Sequence, residues 1–186
     1  IVIGVDSEGS ITRTGGWGYG FSDAGSGYWL GSRALEHTLL YCDGCAPYRP
    51  WFDDVRNALK APDFAAVPEI ATNLNQSDSV AALARVLLCD TRPEPLRESI
   101  ISEGAGHLAA LAAANYRKMR HVAGESFSLV FAGGCLQHQG YAAMVAEKLP
   151  GLLRTAFTPV SGSAPVEGGI RLCKNIVEGQ TPSLHP

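Results

Sequence analysis

Asp23 is the side chain whose surroundings in the sequence best suit chemistry. It lies in the stretch 15–33, which holds seven of the 21 glycines and two of the three tryptophans. Glycine adopts positive φ easily and lets a ligand or another backbone approach closely, so a segment dense in glycine with aromatic residues in between predicts a shaped loop. A carboxylate in such a loop, next to exposed backbone amides, can hold a small polar molecule.

Two interpretations of Asp23 remain open from the residues alone. A helical pattern begins at about Gly27, so Ser22, Asp23 or Ser26 can cap its first turn with a side-chain oxygen. Alternatively, the Asp23 carboxylate accepts hydrogen bonds from vicinal hydroxyl groups of a ligand that lies beside the loop amides and a tryptophan face. The spacing favours the cap and does not exclude the ligand.

The loop resembles the sugar loop of N-acetylglucosamine kinases, which belong to the BadF/BadG-type ATPase family within the actin, hexokinase and Hsp70 superfamily. The resemblance rests on Gly15-Gly16-Trp17-Gly18, Asp23-x-Gly25-Ser26 and Tyr28-Trp29-x-Gly31. Weaker matches are the hairpin turn Asp6-Ser7-Glu8-Gly9, the nucleotide turn Phe131-Ala132-Gly133-Gly134 and the helix start Pro165-Val166-Glu167-Gly168-Gly169. The resemblance implies an α/β fold, with a ribonuclease H-like C-terminal lobe over 1–178. This lobe would contain a mixed sheet, an N-terminal hairpin and flanking helices, and a flexible tail would follow over 179–186.

The same resemblance implies ATP-dependent phosphorylation of an amino sugar. By this analogy Gly16, Trp17 and Gly18 line the sugar and Asp23 holds its hydroxyl groups. The nucleotide is flanked by Ala81, Gly133 and Gly134. In the complete two-lobed enzyme, ATP and Mg²⁺ occupy the cleft between the lobes.

Several parts of such an enzyme are not found in the sequence. In the resembling kinases both phosphate turns and the catalytic base precede the segment that matches here, and this sequence starts with Ile1 directly on a strand. We therefore expect a C-terminal lobe that needs a missing N-terminal lobe as its partner, and we assign no catalytic residue and no metal ligand within the chain.

Ser22 and Ala24 also depart from the usual Gly-Asp-Glu-Gly-Ser pattern of the family. The alternative is therefore a non-catalytic lobe that binds sugar or nucleotide. A third interpretation, a reductase activator, would use Cys42 and Cys45 of two subunits around an iron–sulfur cluster; two ordinary loop thiols are the simpler explanation.

Composition limits the remaining functions. The chain of 186 residues is 46% hydrophobic and 18% charged, as expected for one globular domain. Its net charge of −3 gives no basic footprint for nucleic acid or an anionic membrane, and no apolar run is long enough to cross a bilayer. We expect a cytoplasmic protein, with a monomer and a homodimer both open.

Periodicity predicts the elements that position these residues. Residues 1–5 and 10–14 are expected to form a hairpin. A central parallel strand, buried on both faces, is expected at 126–132, and a further strand at 154–160. Cys89, Cys135 and Cys173 are expected as reduced core thiols, and His37 and His107 as structural. The helices are expected at 27–40, 51–59, 77–88, 94–121, 141–148 and 165–177, and 62–75 shows no clean period.

Overall fold

The computed structural model describes residues 1–6, 9–74, 77–119 and 127–153, together with the backbone of 157–161. The predicted helix 165–177, the tail 179–186 and Cys173 lie outside the described residues. The chain divides into two compact units: the sheet unit, 1–17 and 105–186, and the helical unit, 18–104. Among the described residues, none of the helices has the length and hydropathy of a membrane span.

The described elements have a mixed α/β order: two strands, then six helices, then a strand, a helix and a strand. They are β1 Val2–Val5, β2 Ile11–Thr14, α1 Gly27–Cys42, α2 Trp51–Ala58, α3 Val67–Thr72, α4 Ser77–Ala82, α5 Ala84–Cys89, α6 Pro95–Lys118, β3 Phe127–Phe131, α7 Gln139–Lys148 and β4 Phe157–Ser161.

The predicted hairpin is confirmed. β1 and β2 pair antiparallel, with Val2 opposite Thr14. The Asp6 carboxylate accepts a hydrogen bond from the Ser10 N–H at 2.8 Å, which closes the turn. The hairpin therefore delivers the chain to Gly15 with a fixed direction.

A buried asparagine fastens this hairpin to α6. The Nδ2 atom of Asn115 donates to the carbonyls of Val2 and Thr12 at 3.4 and 3.3 Å and to Thr14 Oγ1 at 3.2 Å. A Cβ on Gly4 would lie 2.2 Å from Asn115 Oδ1, so only glycine lets the asparagine come this close. The polar contact is thus built into the core of the sheet unit.

The helical unit closes around an apolar core. Its fully buried members include Leu30, Trp51, Phe52, Val55 and Leu87. The predicted helix 77–88 proves to be two short helices, because Leu83 N–H donates to the Val80 carbonyl in a tight turn between them. A Cβ on Gly31 of α1 would lie 1.9 Å from that Val80 carbonyl oxygen, so α1 packs directly on the break.

Two further predictions need correction. α3 forms within 62–75, where the sequence shows no clean period. β3 pairs parallel with β4 as predicted, but its side chains alternate between partly buried and exposed, and Val130 is 58% exposed. The apolar composition of β3 predicted burial on both faces; in the part of the sheet unit described, β4 is the strand that pairs with it.

Candidate functional site

Arg13 shapes the part of the glycine loop that belongs to the sheet unit. Its Nε and Nη2 atoms donate to the carbonyls of Gly15 and Gly16 at 3.3 and 2.5 Å, and its guanidinium carbon lies 4.4 Å from the centroid of the Trp17 ring. Gly15 and Gly16 both have φ of +72°, which favours glycine. Trp17 is nevertheless 68% exposed, so its ring is accessible to a ligand. Arg13 is not among the residues predicted from the sequence; the signal for it is an arginine four residues before a loop tryptophan.

The helical unit begins with a closed turn. The Gly18 carbonyl accepts hydrogen bonds from the N–H groups of Phe21 and Ser22, both at 3.1 Å, and Gly18 has φ of +130°. The Tyr19 ring packs on Tyr28 of α1, with ring centroids 4.9 Å apart. This turn brings the chain from Gly18 back toward Asp23.

Ser26, not Asp23, caps α1. The Ser26 hydroxyl oxygen accepts from the Trp29 N–H at 3.1 Å, and Asp23 supports the turn only through its backbone carbonyl, which accepts from Ser26 N–H at 2.8 Å. The interpretation of Asp23 as the side-chain cap is therefore wrong. The carboxylate is half-buried, and the hydrogen bonds found across the described ranges do not include one to it. Its oxygens remain available to a ligand.

The turn after β3, where the nucleotide is predicted to bind, leaves open space at both of its glycines. Gly133 has φ of +97°, and a Cβ on Gly134 would meet nothing within 4 Å, so packing does not require glycine there. The following helix α7 starts at His138 without a side-chain cap. Backbone N–H groups at a helix start without a side-chain cap suit an anionic group such as a phosphate.

Ala81 lies half-buried on α4, in the helical unit, whereas Gly133 and Gly134 belong to the sheet unit. The residues predicted to bind the nucleotide therefore belong to different units of the chain, and each unit is described by itself. A groove of about 440 Å³ lies on the helical unit, but it contains none of the predicted site residues. Its lining includes Tyr28, Leu35, Leu39, Leu74 and Val80.

The described part of the chain holds no group of three or more potential metal ligands. Cys42 Sγ donates to the Phe64 carbonyl at 3.3 Å, and burial together with the nearby Asp43 charge raises the pKa of its thiol. A protonated thiol is a poor nucleophile and a poor ligand. Cys89 is exposed, contrary to the predicted core position, because it ends α5 at the surface; Cys135 is half-buried and its pKa is raised by burial.

The most buried carboxylate of the helical unit, Glu94, was not predicted. Its oxygens accept from Arg49 Nη1 at 2.7 Å, from Trp51 Nε1 at 3.0 Å and from the Arg97 N–H at 2.7 Å. Burial alone would raise the pKa of Glu94, but the hydrogen bonds from Arg97 and Trp51 outweigh it and the pKa is lowered. Glu98 accepts in turn from the Glu94 N–H at 3.2 Å, so the pair starts α6 as a capping box and has a structural role.

The chain was compared with family models, curated proteins and solved structures, and it matches solved structures. No protein-family model matches the chain, and no curated protein matches it in sequence. Among solved structures, the chain is similar to the crystal structure of a putative N-acetylglucosamine kinase from Chromobacterium violaceum, with 25% sequence identity and a TM-score of 0.62. The match covers 84% of this chain and 51% of the other, so the chain spans about half the length of the structure that it matches. The chain thus has a mixed α/β fold that matches a sugar kinase structure.

Proposed function

We propose that the chain is part of an enzyme that phosphorylates an amino sugar similar to N-acetylglucosamine, with ATP as the phosphoryl donor. The observation that carries this proposal is the match over 84% of the chain to a protein described with that activity. The chain spans about half of that protein, and its motifs resemble those of the C-terminal lobe of such kinases, so we propose that it forms this lobe. The rest of the enzyme would supply both phosphate turns and the catalytic base.

The sugar would bind at the glycine loop. Asp23 would accept hydrogen bonds from its hydroxyl groups, and Gly16, Trp17 and Gly18 would line it. The capping of α1 by Ser26 supports this role, because it leaves the Asp23 carboxylate free for a ligand. A carboxylate that loses its hydroxyl partners is left unsatisfied, so such a site discriminates strongly against deoxy analogues.

The nucleotide would bind at the turn after β3. The open space at Gly134 and the uncapped start of α7 fit the phosphate groups of ATP, and Ala81 would flank the adenine. When bound, ATP supplies the phosphoryl group and Mg²⁺ neutralises its charge. The described residues hold no cluster of metal-binding side chains, so we expect the metal to be held largely by the phosphates and by the completing lobe.

A second candidate function is a lobe that binds sugar or nucleotide without catalysis. The observation that favours it is Ala24, which places a methyl group where the resembling kinases have a glutamate. Loss of that carboxylate would remove a group that orients the substrate or its neighbours. Sugar binding through Asp23 would survive this change.

The two functions are separated by measuring sugar-dependent ATP turnover in the full protein encoded by the gene and in this chain alone. The kinase proposal predicts turnover with N-acetylglucosamine in the full protein only, abolished by Asp23→Asn and retained by Glu69→Gln, an exposed carboxylate of the helical unit. Sugar binding without turnover in the full protein would favour the binding lobe. Absence of both would contradict the assignment to a sugar-binding protein.

A further inference from the structure

Two aromatic residues beside Asp23 have an unusual degree of exposure. Phe21 is 94% exposed and Tyr19 is 60% exposed. A phenylalanine is among the residues most often buried, and exposed aromatic surface next to a polar group is typical of a binding site. Both residues lie in the helical unit, as Asp23 does.

The closed turn fixes the backbone that carries these rings. The Phe21 and Ser22 N–H groups both donate to the Gly18 carbonyl, so the backbone around Phe21 is fixed. The Phe21 ring carbon Cδ2 lies 3.9 Å from the position that a Cβ on Gly18 would take, so the ring lies back over that glycine. Tyr19 is held by its contact with Tyr28 on α1, at 4.9 Å between ring centroids. The rings are thus presented on an ordered backbone.

Asp23 and Phe21 are close enough to contact one small ligand. They are two residues apart, so their Cα atoms lie within about 7 Å of each other. A pyranose has hydroxyl groups at its edge and C–H groups on its face, and it therefore fits a carboxylate next to an aromatic ring. This juxtaposition selects a sugar over a wholly polar ligand of the same size.

We propose that Tyr19 and Phe21 form an apolar platform that packs on the C–H face of the sugar whose hydroxyl groups bind Asp23. This inference rests on the proposed function and makes the two residues determinants of substrate specificity. A sugar with only equatorial substituents keeps its face apolar. An axial hydroxyl group on the face that meets the rings would put a polar group against them without a partner and would weaken binding.

The experiment compares binding of N-acetylglucosamine and of its axial 4-hydroxyl epimer, N-acetylgalactosamine, by calorimetry. The variants are Phe21→Tyr, which keeps an aromatic ring, and Phe21→Leu, which keeps apolar bulk without one. Val130→Ala, at an exposed strand position, is the control. Thermal unfolding of each variant is measured in parallel and should be unchanged, because the Phe21 side chain is exposed.

We expect Phe21→Tyr and Val130→Ala to bind N-acetylglucosamine within about twofold of the unsubstituted chain, and Phe21→Leu to bind it about tenfold more weakly. The loss should be larger for N-acetylglucosamine, whose flat C–H face stacks on the ring, than for N-acetylgalactosamine. Equal binding by all variants would overturn the inference and leave the proposed function standing. Failure of the unsubstituted chain to bind either sugar would overturn both. A dimer that dissociates in Phe21→Leu with sugar binding unchanged would overturn the inference in favour of a contact between two copies.

Discussion

The helical unit and the sheet unit bury their apolar side chains to different extents. In the helical unit, the large side chains of α2 and their neighbours are fully buried, among them Leu30, Trp51 and Phe52. In the sheet unit, Ile1, Ile3 and Val5 share one face of β1 and are 65%, 53% and 61% exposed. The opposite face of β1 meets α6 through Gly4 and Asn115.

This difference in exposure distinguishes side chains that stabilise the fold from side chains that are accessible to a ligand. The helical unit buries Trp51 and Phe52, so the exposure of Phe21 in the same unit does not reflect a shortage of apolar core. The sheet unit combines a buried polar contact with apolar side chains that are fully buried, such as Tyr141 and Leu149, and it leaves apolar surface of β1 exposed. Paired substitutions, one in each unit, test the comparison directly.

The largest effect is expected from the two tryptophans. Trp51→Ala removes a fully buried ring and should lower the free energy of unfolding by about 3–5 kcal/mol. Trp17→Ala removes a mainly exposed ring whose described contact is the Arg13 guanidinium, and should lower it by less than about 1 kcal/mol. Urea unfolding measures both; similar losses would break the comparison.

Two glycines give the next largest difference. A Cβ on Gly31 would collide with the Val80 carbonyl, so Gly31→Ala should destabilise the chain by about 3 kcal/mol. Gly134→Ala meets open space and should change stability by less than about 0.5 kcal/mol. If Gly134→Ala leaves stability unchanged but weakens binding of ATP, the glycine at position 134 contributes to nucleotide binding. A loss of stability at 134 equal to that at 31 would instead indicate a packing role.

Glu94 gives a smaller, pH-dependent effect. Glu94→Gln should cost about 2 kcal/mol at neutral pH, because the neutral amide is a poorer partner for Arg49 and the Arg97 N–H. The folded-state pKa of Glu94 lies below its ordinary value of about 4.3. Its contribution is therefore fully present above pH about 4.3 and is lost as the pH falls through the lower folded-state pKa. The stabilities of the two proteins should converge in acid; a constant difference down to low pH would contradict this.

The smallest effect is expected on the open strand face. Ile3→Thr keeps a β-branched residue on β1 and exposes no new core, so stability should change by less than about 0.5 kcal/mol in thermal unfolding. Val55→Thr, at a fully buried position, is the matched change in the helical unit and should be clearly destabilising. A large loss for Ile3→Thr would show that this face is buried in solution.

The sequence predicted local elements better than their junctions. The hairpin, α1, α2, α6 and α7 follow from alternation, helical spacing and cap signals, which act over a few residues. The break between α4 and α5 depends on α1 packing against the Val80 carbonyl through Gly31, a long-range contact that periodicity does not encode.

The site residues show the same limit. The glycine loop and Asp23 are visible as a motif, but the choice of Ser26 as the cap is decided by the geometry of the turn. Arg13 and the Glu94 network depend on partners that are brought together only by folding. Exposure of Phe21 could not be predicted either, because an isolated aromatic residue in a loop is compatible with burial or with binding.

The central claim is that the Asp23 carboxylate holds a sugar, and calorimetric titration of this chain with N-acetylglucosamine tests it most directly. The unsubstituted chain and Glu69→Gln should bind the sugar equally. Asp23→Asn should bind it at least about 30-fold more weakly, because hydrogen bonds to the charged group are lost, without a change in thermal unfolding. Equal affinity of Asp23→Asn and the unsubstituted chain would contradict the account.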